Sequence, residues 1–281
     1  MRSARLIIAA TSGVLLLALC GCESGGLSLN MDEGLQNLFK PRRTPQQYIL
    51  IAVSDADPDM RREAAVKVAE SKKYNEEWAI KGFMAIAALE DDPQTRCIAI
   101  RGLARSRDPR GAETFLKILN AKDYPPQEVR SADDLSRWDT TSALADFAGE
   151  CLPEELQDKT RETFIALLKS DTNRNVRTNA ARGLQYFSHS DAVDSLINGL
   201  RDTDFTVAYQ CEMSLAYLTG VTNGCDAYAW QQWRDAHGND LFAQGGTLPP
   251  ELQKPYKGRL GQMAYDTKRA WQWLFPGKKG E

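Results

Sequence analysis

Histidine is scarce in this 281-residue chain, and the sequence patterns that most often accompany catalysis are missing. Only His189 and His237 offer an imidazole, the side chain that most often serves as a general base. The six cysteines include no CxxC pair, which argues against a zinc site. No phosphate-binding loop, dinucleotide fingerprint, zinc-protease motif or nucleophile elbow is present. We therefore expect no catalytic residue, no cofactor, no metal and no small-molecule substrate.

Two short segments contain the residue types of a known functional site, one of a hydrolase triad and one of a calcium-binding loop, but not the required spacing or sequence. Residues 188–191 read Ser-His-Ser-Asp, but a hydrolase triad is assembled from distant positions, so Ser190 or Asp191 is better interpreted as a helix N-cap. Residues 171–175 begin like a calcium loop, yet the sixth position, where that loop needs glycine, is Val176. We predict a turn between two helices there.

Positive charge is also in short supply over most of the chain. The sequence has 35 Lys and Arg against 38 Asp and Glu. Residues 249–281 alone hold seven basic residues against three acids, so the remainder is more acidic than the average. Proteins that bind nucleic acid need a basic surface. We therefore expect no nucleic-acid partner.

One long apolar run is present, and it lies at the N-terminus. Arg2 and Arg5 precede residues 6–19, which contain no charge. Fourteen helical residues span about 21 Å, less than the roughly 30 Å of a hydrocarbon core. No second run of comparable length follows. The pattern predicts a signal peptide over residues 1–21.

The residues at the predicted cleavage site read Leu19-Cys20-Gly21-Cys22. This segment resembles the lipobox of bacterial lipoproteins, and Cys22 fits it better than Cys20, which would place Leu19 just before the cut. The resemblance implies a lipid such as palmitate on Cys22, and a mature protein held on a bacterial membrane, facing the periplasm or exterior. An ordinary secretory signal is the alternative. Residues 22–43 would then form a tether with a short amphipathic segment.

The cysteines that remain after processing show no disulfide framework. Cys97, Cys151 and Cys211 fall in apolar stretches with helical spacing, where a free cysteine behaves as a small core residue. A bridge between Cys211 and Cys225 stays open at this point, since an exported location permits disulfides.

A repeated motif organises the middle of the chain. The pattern Asp-Pro-x-x-Arg-x-x-Ala occurs at 57–64 and 92–99, and weaker copies lie at 175–180 and 206–211. Asp before Pro favours a helix start, because Asp caps the first turn and Pro there loses no hydrogen bond. The alanine lets neighbouring helices approach, and the arginine is placed to reach an adjacent turn. The arginines of this pattern are Arg61, Arg96 and Arg177.

Each motif is followed by apolar residues at spacings of three and four, which predict a second helix. These second helices are predicted at 76–89, 110–119, 154–168 and 191–200. Tandem helix pairs of this length resemble the HEAT repeat family. We therefore predict an all-α fold: an α-solenoid of stacked helix pairs over residues 44–237, with a capping helix and a C-terminal extension.

The repeat pattern is interrupted once and then ends. We predict an insertion at 121–138 and a degenerate third unit from Trp138. Beyond Gly220, a helix with Tyr228, Trp230 and Trp233 is predicted to cover the open end, as terminal repeats require. Residues 238–281 are predicted to be a linker and a basic, aromatic segment.

The HEAT resemblance implies a protein-binding scaffold whose second helices line the concave face. Candidate partner-binding residues are polar positions within those apolar helices, namely Lys81, Lys117, Lys169, Asn198 and Arg201. An alternative is a structural cell-envelope protein whose C-terminal segment engages a second surface. For that role the candidate residues are Trp271 and Trp273.

Overall fold

The computed structural model describes residues 43–238, 240–253, 258, 261–264 and 267–268. These residues form helices and connecting turns, with no strand among them. The helices are α1 (Pro45–Ser54), α2 (Pro58–Glu70), α3 (Glu77–Leu89), α4 (Pro93–Ser106), α5 (Arg110–Leu119), α6 (Asp134–Glu150), α7 (Gln157–Ser170), α8 (Arg174–Leu184), α9 (Ser190–Gly199), α10 (Phe205–Thr219) and α11 (Ala227–Ala236).

These helices alternate between two layers. The first layer is α2, α4, α6, α8 and α10, each packed on the next, and the second layer is α1, α3, α5, α7, α9 and α11. Each first-layer helix also packs closely on the second-layer helix that precedes it in the chain. The Asp-Pro motif is therefore the turn of a tight helical hairpin. The arrangement is an α-solenoid of HEAT-like helix pairs, which confirms the predicted fold class.

Side-chain caps explain where the first-layer helices begin. The residue before each one accepts a hydrogen bond from the first turn and satisfies a backbone N–H that has no helical partner. These caps are Asp57, Asp92, Asp133, Asn173 and Asp204. The expected cap at Ser190 or Asp191 is wrong: α9 begins at Ser190 itself, and His189 at the cap position makes no side-chain cap.

Helix bounds differ from the predicted ones mainly in the third unit. The predicted helix at 110–119 is found unchanged, and the one at 154–168 opens with a 3₁₀ turn before α7. We expected the third unit to begin at Trp138, but α6 begins at Asp134 because Asp133 caps it through the amides of Leu135 and Ser136. The predicted insertion at 121–138 therefore contains the first turn of α6.

The rest of that insertion is packed onto the repeats. Val129 is buried, and the backbone N–H of Arg130 donates to the Ala88 carbonyl at 2.9 Å. Further along, Lys159 of α7 donates to the Tyr124 hydroxyl at 2.9 Å. The insertion thus adds contacts to the second layer.

Glycine allows close helix packing at two equivalent positions. Gly102 and Gly183 each stand in an Arg-Gly-Leu sequence of a first-layer helix. A Cβ atom at Gly183 would lie 2.4 Å from the ring of the fully buried Phe164, and one at Gly102 would lie 2.9 Å from the ring of Phe83. Each glycine therefore makes room for a phenylalanine of the preceding second-layer helix.

Replacing Gly183 with alanine should destabilise the protein by about 1–3 kcal/mol, because the added methyl group overpacks the Phe164 ring. The better helix propensity of alanine offsets only about 1 kcal/mol of this cost. Gly149→Ala is the matched control, since its Cβ meets the half-exposed side chain of Tyr186, which has room to move. Urea unfolding measures both, and equal stability of the two variants would contradict the packing argument.

The last first-layer helix is capped by α11. Trp230 is completely buried, and its Nε1 donates to Oε2 of Glu212 at 2.5 Å and to the Gly224 carbonyl at 3.0 Å. Trp233 packs edge-on against Trp230, with 5.5 Å between ring centroids. The predicted capping role of Trp230 and Trp233 is confirmed. For Tyr228 it is wrong, because this side chain is 70% exposed.

Residues after α11 continue the packed region beyond Ala236. Leu241 is buried, and the Gly246 N–H donates to the Tyr217 carbonyl on α10 at 2.8 Å. The chain therefore folds back over the end of α10 before it reaches the 3₁₀ turn Pro250–Leu252.

Glu212, on helix α10 beneath the capping helix α11, has a buried carboxyl group. Its side chain is buried, and burial raises its pKa although Thr222 and Trp230 donate hydrogen bonds to it. A raised folded-state pKa means that the protonated form is the stabilising one. That contribution is fully present below the ordinary value of 4.5 and is lost as the pH rises through the folded-state pKa.

We expect Glu212→Gln to become increasingly more stable than the wild type as the pH rises from about 4 to about 8. Glutamine stays neutral, and its amide is able to accept from Trp230 and donate to Thr222. Urea unfolding of both proteins across this range measures the difference in the free energy of unfolding. If the difference in the free energy of unfolding between the two proteins does not change with pH, burial of the Glu212 carboxylate does not destabilise the folded protein.

Candidate functional site

Arginine side chains join successive turns along one edge of the solenoid. Arg61 donates from Nε and Nη2 to both carboxylate oxygens of Glu90 in the next turn, each at 2.9 Å, and from Nη1 to the Asp55 carbonyl of its own turn at 3.0 Å. Arg177 contacts Asp202 in the same two-pronged way, at 2.7 and 3.0 Å. The expected contact between these arginines and an adjacent turn is confirmed.

Two further arginines complete this row. Arg137 of α6 donates to Asp171 at 2.9 Å and was missed in the sequence, although it follows its cap Asp133 by the same four residues that separate Asp57 from Arg61. Arg96 is buried, and its partners among the described residues are backbone carbonyls. Its guanidinium donates to the carbonyls of Ala87, Arg130 and Ser131 at 2.8, 2.8 and 2.9 Å. The row fixes the spacing between neighbouring turns.

A groove lies between the second-layer helices α7 and α9, which this row holds side by side. It encloses a cavity of about 540 Å³. It is lined by Ile165, Leu168, Lys169, Asp191, Asp194, Ser195, Asn198, Gly199, Arg201 and Asp202. We refer to it as the α7–α9 groove.

The floor of the groove is apolar. Leu168 is buried there, and Ile165 is half-buried beside it. A Cβ atom at Gly199 would lie 2.5 Å from the Cys211 sulfur and 3.3 Å from Leu168. Because Gly199 has no side chain, α9 sits close to α10 and the floor stays open.

Two carboxylates on the walls are already engaged in ion pairs. Arg161 lies 3.1 Å from Asp191, and Arg234 of the capping helix lies 2.9 Å from Asp194. Arg161 also pairs with Asp158 of its own helix, at 2.6 Å. The two carboxylates therefore link α9 to α7 and to α11, and each already has a cation at ion-pair distance.

Asp202 is compensated in the same way. Burial by itself would raise its pKa, but hydrogen bonds from Arg177 and from the Asp204 amide lower it below the ordinary value. The Asp202 carboxylate is therefore ionised and bound to Arg177 at neutral pH.

The cations of the groove have no such partners. Lys169 and Arg201 are exposed, and within the described part of the chain neither has a carboxylate at ion-pair distance. Arg201 donates to the amide oxygen of Asn198 at 3.3 Å. Both cations also line an adjoining cavity of about 370 Å³. The free charge at this end of the groove is therefore positive.

The structure brings together three of the predicted partner-binding residues, Lys169, Asn198 and Arg201. Lys117 lies on α5 and Lys81 on α3, and each forms an ion pair within its own helix, at 3.1 Å from Glu113 and Glu77 respectively. These two do not join the groove. Cys22, Trp271 and Trp273 lie outside the described residues. The walls contributed by Ile165, Asp191 and Asp194 were missed, because their position depends on how two separate helices pack.

The cysteines provide no reactive thiol in the groove. Cys97 is buried, and burial raises its pKa to about 12. Burial also raises the pKa of Cys211. The thiols of Cys211 and Cys225 are unpaired, so the bridge considered from the sequence is not formed in this structure. In the described part of the chain, no cluster of His, Cys, Asp or Glu has the geometry of a metal site.

A family model matches the part of the chain that contains the groove. Residues 161–220 match the family model described as HEAT repeats. The match runs from α7 to the end of α10 and includes both helices of the α7–α9 groove. HEAT-like repeats commonly serve as scaffolds for protein interactions and are typically non-catalytic.

Two crystal structures of engineered proteins are similar to this chain. One is 22% identical, with a TM-score of 0.43, and the match covers 62% of this chain and 79% of the engineered protein. The other is 17% identical, with a TM-score of 0.47, and the match covers 71% and 93% respectively. A comparison with curated proteins gives no match.

Proposed function

We propose that this protein is a membrane-tethered, exported scaffold for protein–protein interaction, without catalytic activity of its own. The observation that carries this proposal is the α7–α9 groove. It lies in the units that match the HEAT repeat model, and it combines an apolar floor with two cations, Lys169 and Arg201, that have no ion-pair partner among the residues that the structure describes. A partner protein is able to bury this floor and supply the missing charges.

The packing of the groove favours binding over chemistry. Its carboxylates are committed to arginines of neighbouring helices, so a general acid or base would have to leave an ion pair. The walls belong to regular helices fixed by the arginine row. Such a preformed surface loses little conformational entropy when a partner binds.

The tether is supported by the sequence around Cys22, which resembles a lipobox. In the part of the chain that the structure describes, no helix is long and apolar enough to cross a bilayer. A lipid on Cys22 would hold the repeats at a membrane surface and raise the local concentration of partners on the same membrane.

The first test is crosslinking and co-purification from solubilised cell envelopes, with the wild type beside Cys22→Ala. We expect a defined set of partners with the wild type and a reduced yield with the unanchored form. Self-crosslinks alone, undiminished in Cys22→Ala, would overturn the scaffold and favour the structural role of the C-terminal segment.

A second test places the partner on the molecule. Two variants are made, each with one photo-crosslinking residue. The first carries it in place of Asn198 in the groove, and the second in place of Lys67, an exposed position on the first-layer helix α2. We expect the position 198 probe to capture a partner and the position 67 probe to capture far less. Equal capture at both positions would show that the groove is not the binding surface.

A further inference from the structure

We propose that the α7–α9 groove binds a segment of the partner protein that contains both leucine and acidic residues. A leucine side chain would lie on the apolar floor, and a carboxylate would lie between Lys169 and Arg201. This inference rests on the proposed scaffold function and specifies the chemistry of the partner.

The sign of the ligand charge follows from the ion pairs around the groove. Asp191 and Asp194 at one end already have an arginine at ion-pair distance: Arg161, which Asp191 shares with Asp158, and Arg234. A basic ligand would therefore have to compete with an arginine already in place. An acidic ligand meets two cations without displacing anything.

The position of the cations agrees with the course of the helices. Lys169 stands in the last turn of α7 and Arg201 just after the end of α9, where the helix dipole favours positive charge. Both side chains also line the adjoining cavity, so they lie at the same end of the groove. Asn198 lies one turn earlier on α9 and provides a hydrogen-bonding group beside them.

The size and lining of the groove fit a side chain with adjoining backbone. A cavity of about 540 Å³ lies within the usual range of ligand pockets, about 300–1,000 Å³. Ile165 and Leu168 form its apolar part. The cations are exposed, so the electrostatic attraction is screened by salt and the binding is expected to be weak and salt-dependent.

The test uses fluorescein-labelled hexapeptides with blocked ends and measures binding by fluorescence anisotropy. One peptide alternates leucine and glutamate, a second leucine and lysine, and a third serine and glutamate. The full-length protein is compared with the double variant Lys169→Glu/Arg201→Glu and with Lys67→Glu, a single charge reversal of the same kind on α2. Circular dichroism confirms that each variant is folded.

We expect the leucine–glutamate peptide to bind the wild type at least about tenfold more tightly than either control peptide. The double variant should lose about tenfold in affinity for it and should gain affinity for the leucine–lysine peptide, whereas Lys67→Glu should change neither. Raising the salt to about 0.3 M should weaken binding to the wild type.

Equal binding of the three peptides, or an unchanged affinity in the double variant, would overturn the acidic-ligand proposal. The results of the peptide and photo-crosslinking experiments distinguish a failure of this proposal from a failure of the scaffold function. If the position 198 probe captures a partner while the leucine–glutamate peptide does not bind, the scaffold stands and the chemistry assigned here is wrong. If the peptide binds and the probe captures nothing in the envelope, the groove has the proposed chemistry but the scaffold function is contradicted.

Discussion

Replacing Arg96 with alanine should lower the free energy of unfolding by about 3–5 kcal/mol, because three buried hydrogen bonds from a charged donor are lost, each worth about 1.5–3 kcal/mol. Arg96 is 2% exposed, and its guanidinium donates to three backbone carbonyls, one in the last turn of helix α3 and two in the insertion. Without the side chain, these carbonyls lose their donor in a region that water reaches poorly. The link between the α3–α4 turn and the insertion is lost as well.

Lysine is expected to replace Arg96 poorly. Burial lowers the pKa of the Arg96 guanidinium, but arginine titrates so far above neutral pH that the group stays charged. A lysine ammonium is a single point of charge and does not reproduce the planar set of donors. Arg96→Lys should therefore recover only part of the loss.

Arg105→Ala is the matched control for Arg96. Arg105 lies on the same helix and also donates to a carbonyl, that of Ala69 at 2.8 Å, but it is exposed. Its removal loses one exposed hydrogen bond and the stacking of its guanidinium on the Tyr74 ring, 3.9 Å away, and should cost about 1–2 kcal/mol. Urea unfolding followed by circular dichroism measures all three variants, and losses of similar size at Arg96 and Arg105 would contradict the importance of burial.

Replacing Trp230 with alanine should have an effect of similar size, about 3–5 kcal/mol, because a fully buried indole is removed from the end of the solenoid. The Glu212 carboxylate also loses the Trp230 donor in a buried position. Since each repeat contacts only its neighbours, the loss should be greatest in α10 and α11.

Tyr228→Ala provides the control on the same helix. Tyr228 is exposed, so its replacement should change stability by no more than about 0.5 kcal/mol. Hydrogen exchange locates the effect of Trp230→Ala along the chain. Protection lost evenly from α2 to α11 would contradict the expected end effect.

The sequence by itself determined the features that depend on near neighbours in the chain. An Asp cap needs only the amides two or three residues later, so the starts of α2 and α4 were readable from Asp57 and Asp92. The period of 35 residues between these caps placed the arginines at equivalent positions. The α-solenoid and the contact of Arg61 and Arg177 with an adjacent turn followed from this repetition.

In the third repeat unit, the start of the first helix was predicted incorrectly from the sequence. Its first helix lacks the Asp-Pro pair, so the start was placed at Trp138, four residues after its actual position. The spacing of Asp133 and Arg137 was a usable signal, because it repeats that of Asp57 and Arg61. Pro marks a helix start strongly but is not required for one.

Only the tertiary structure decided which polar residues act together. Lys81, Lys117, Lys169 and Asn198 are each a polar position in an apolar helix. The sequence sets Lys81 and Lys117 apart, because each has a glutamate four residues earlier with which it forms a local ion pair. It does not show that the other two share a groove. Lys169 and Asn198 meet across the α7–α9 groove because two helices pack side by side, and Asp202 is neutralised by Arg177 of a different layer. Ion pairing between separate helices depends on distances in space, which the order of residues in the chain does not fix.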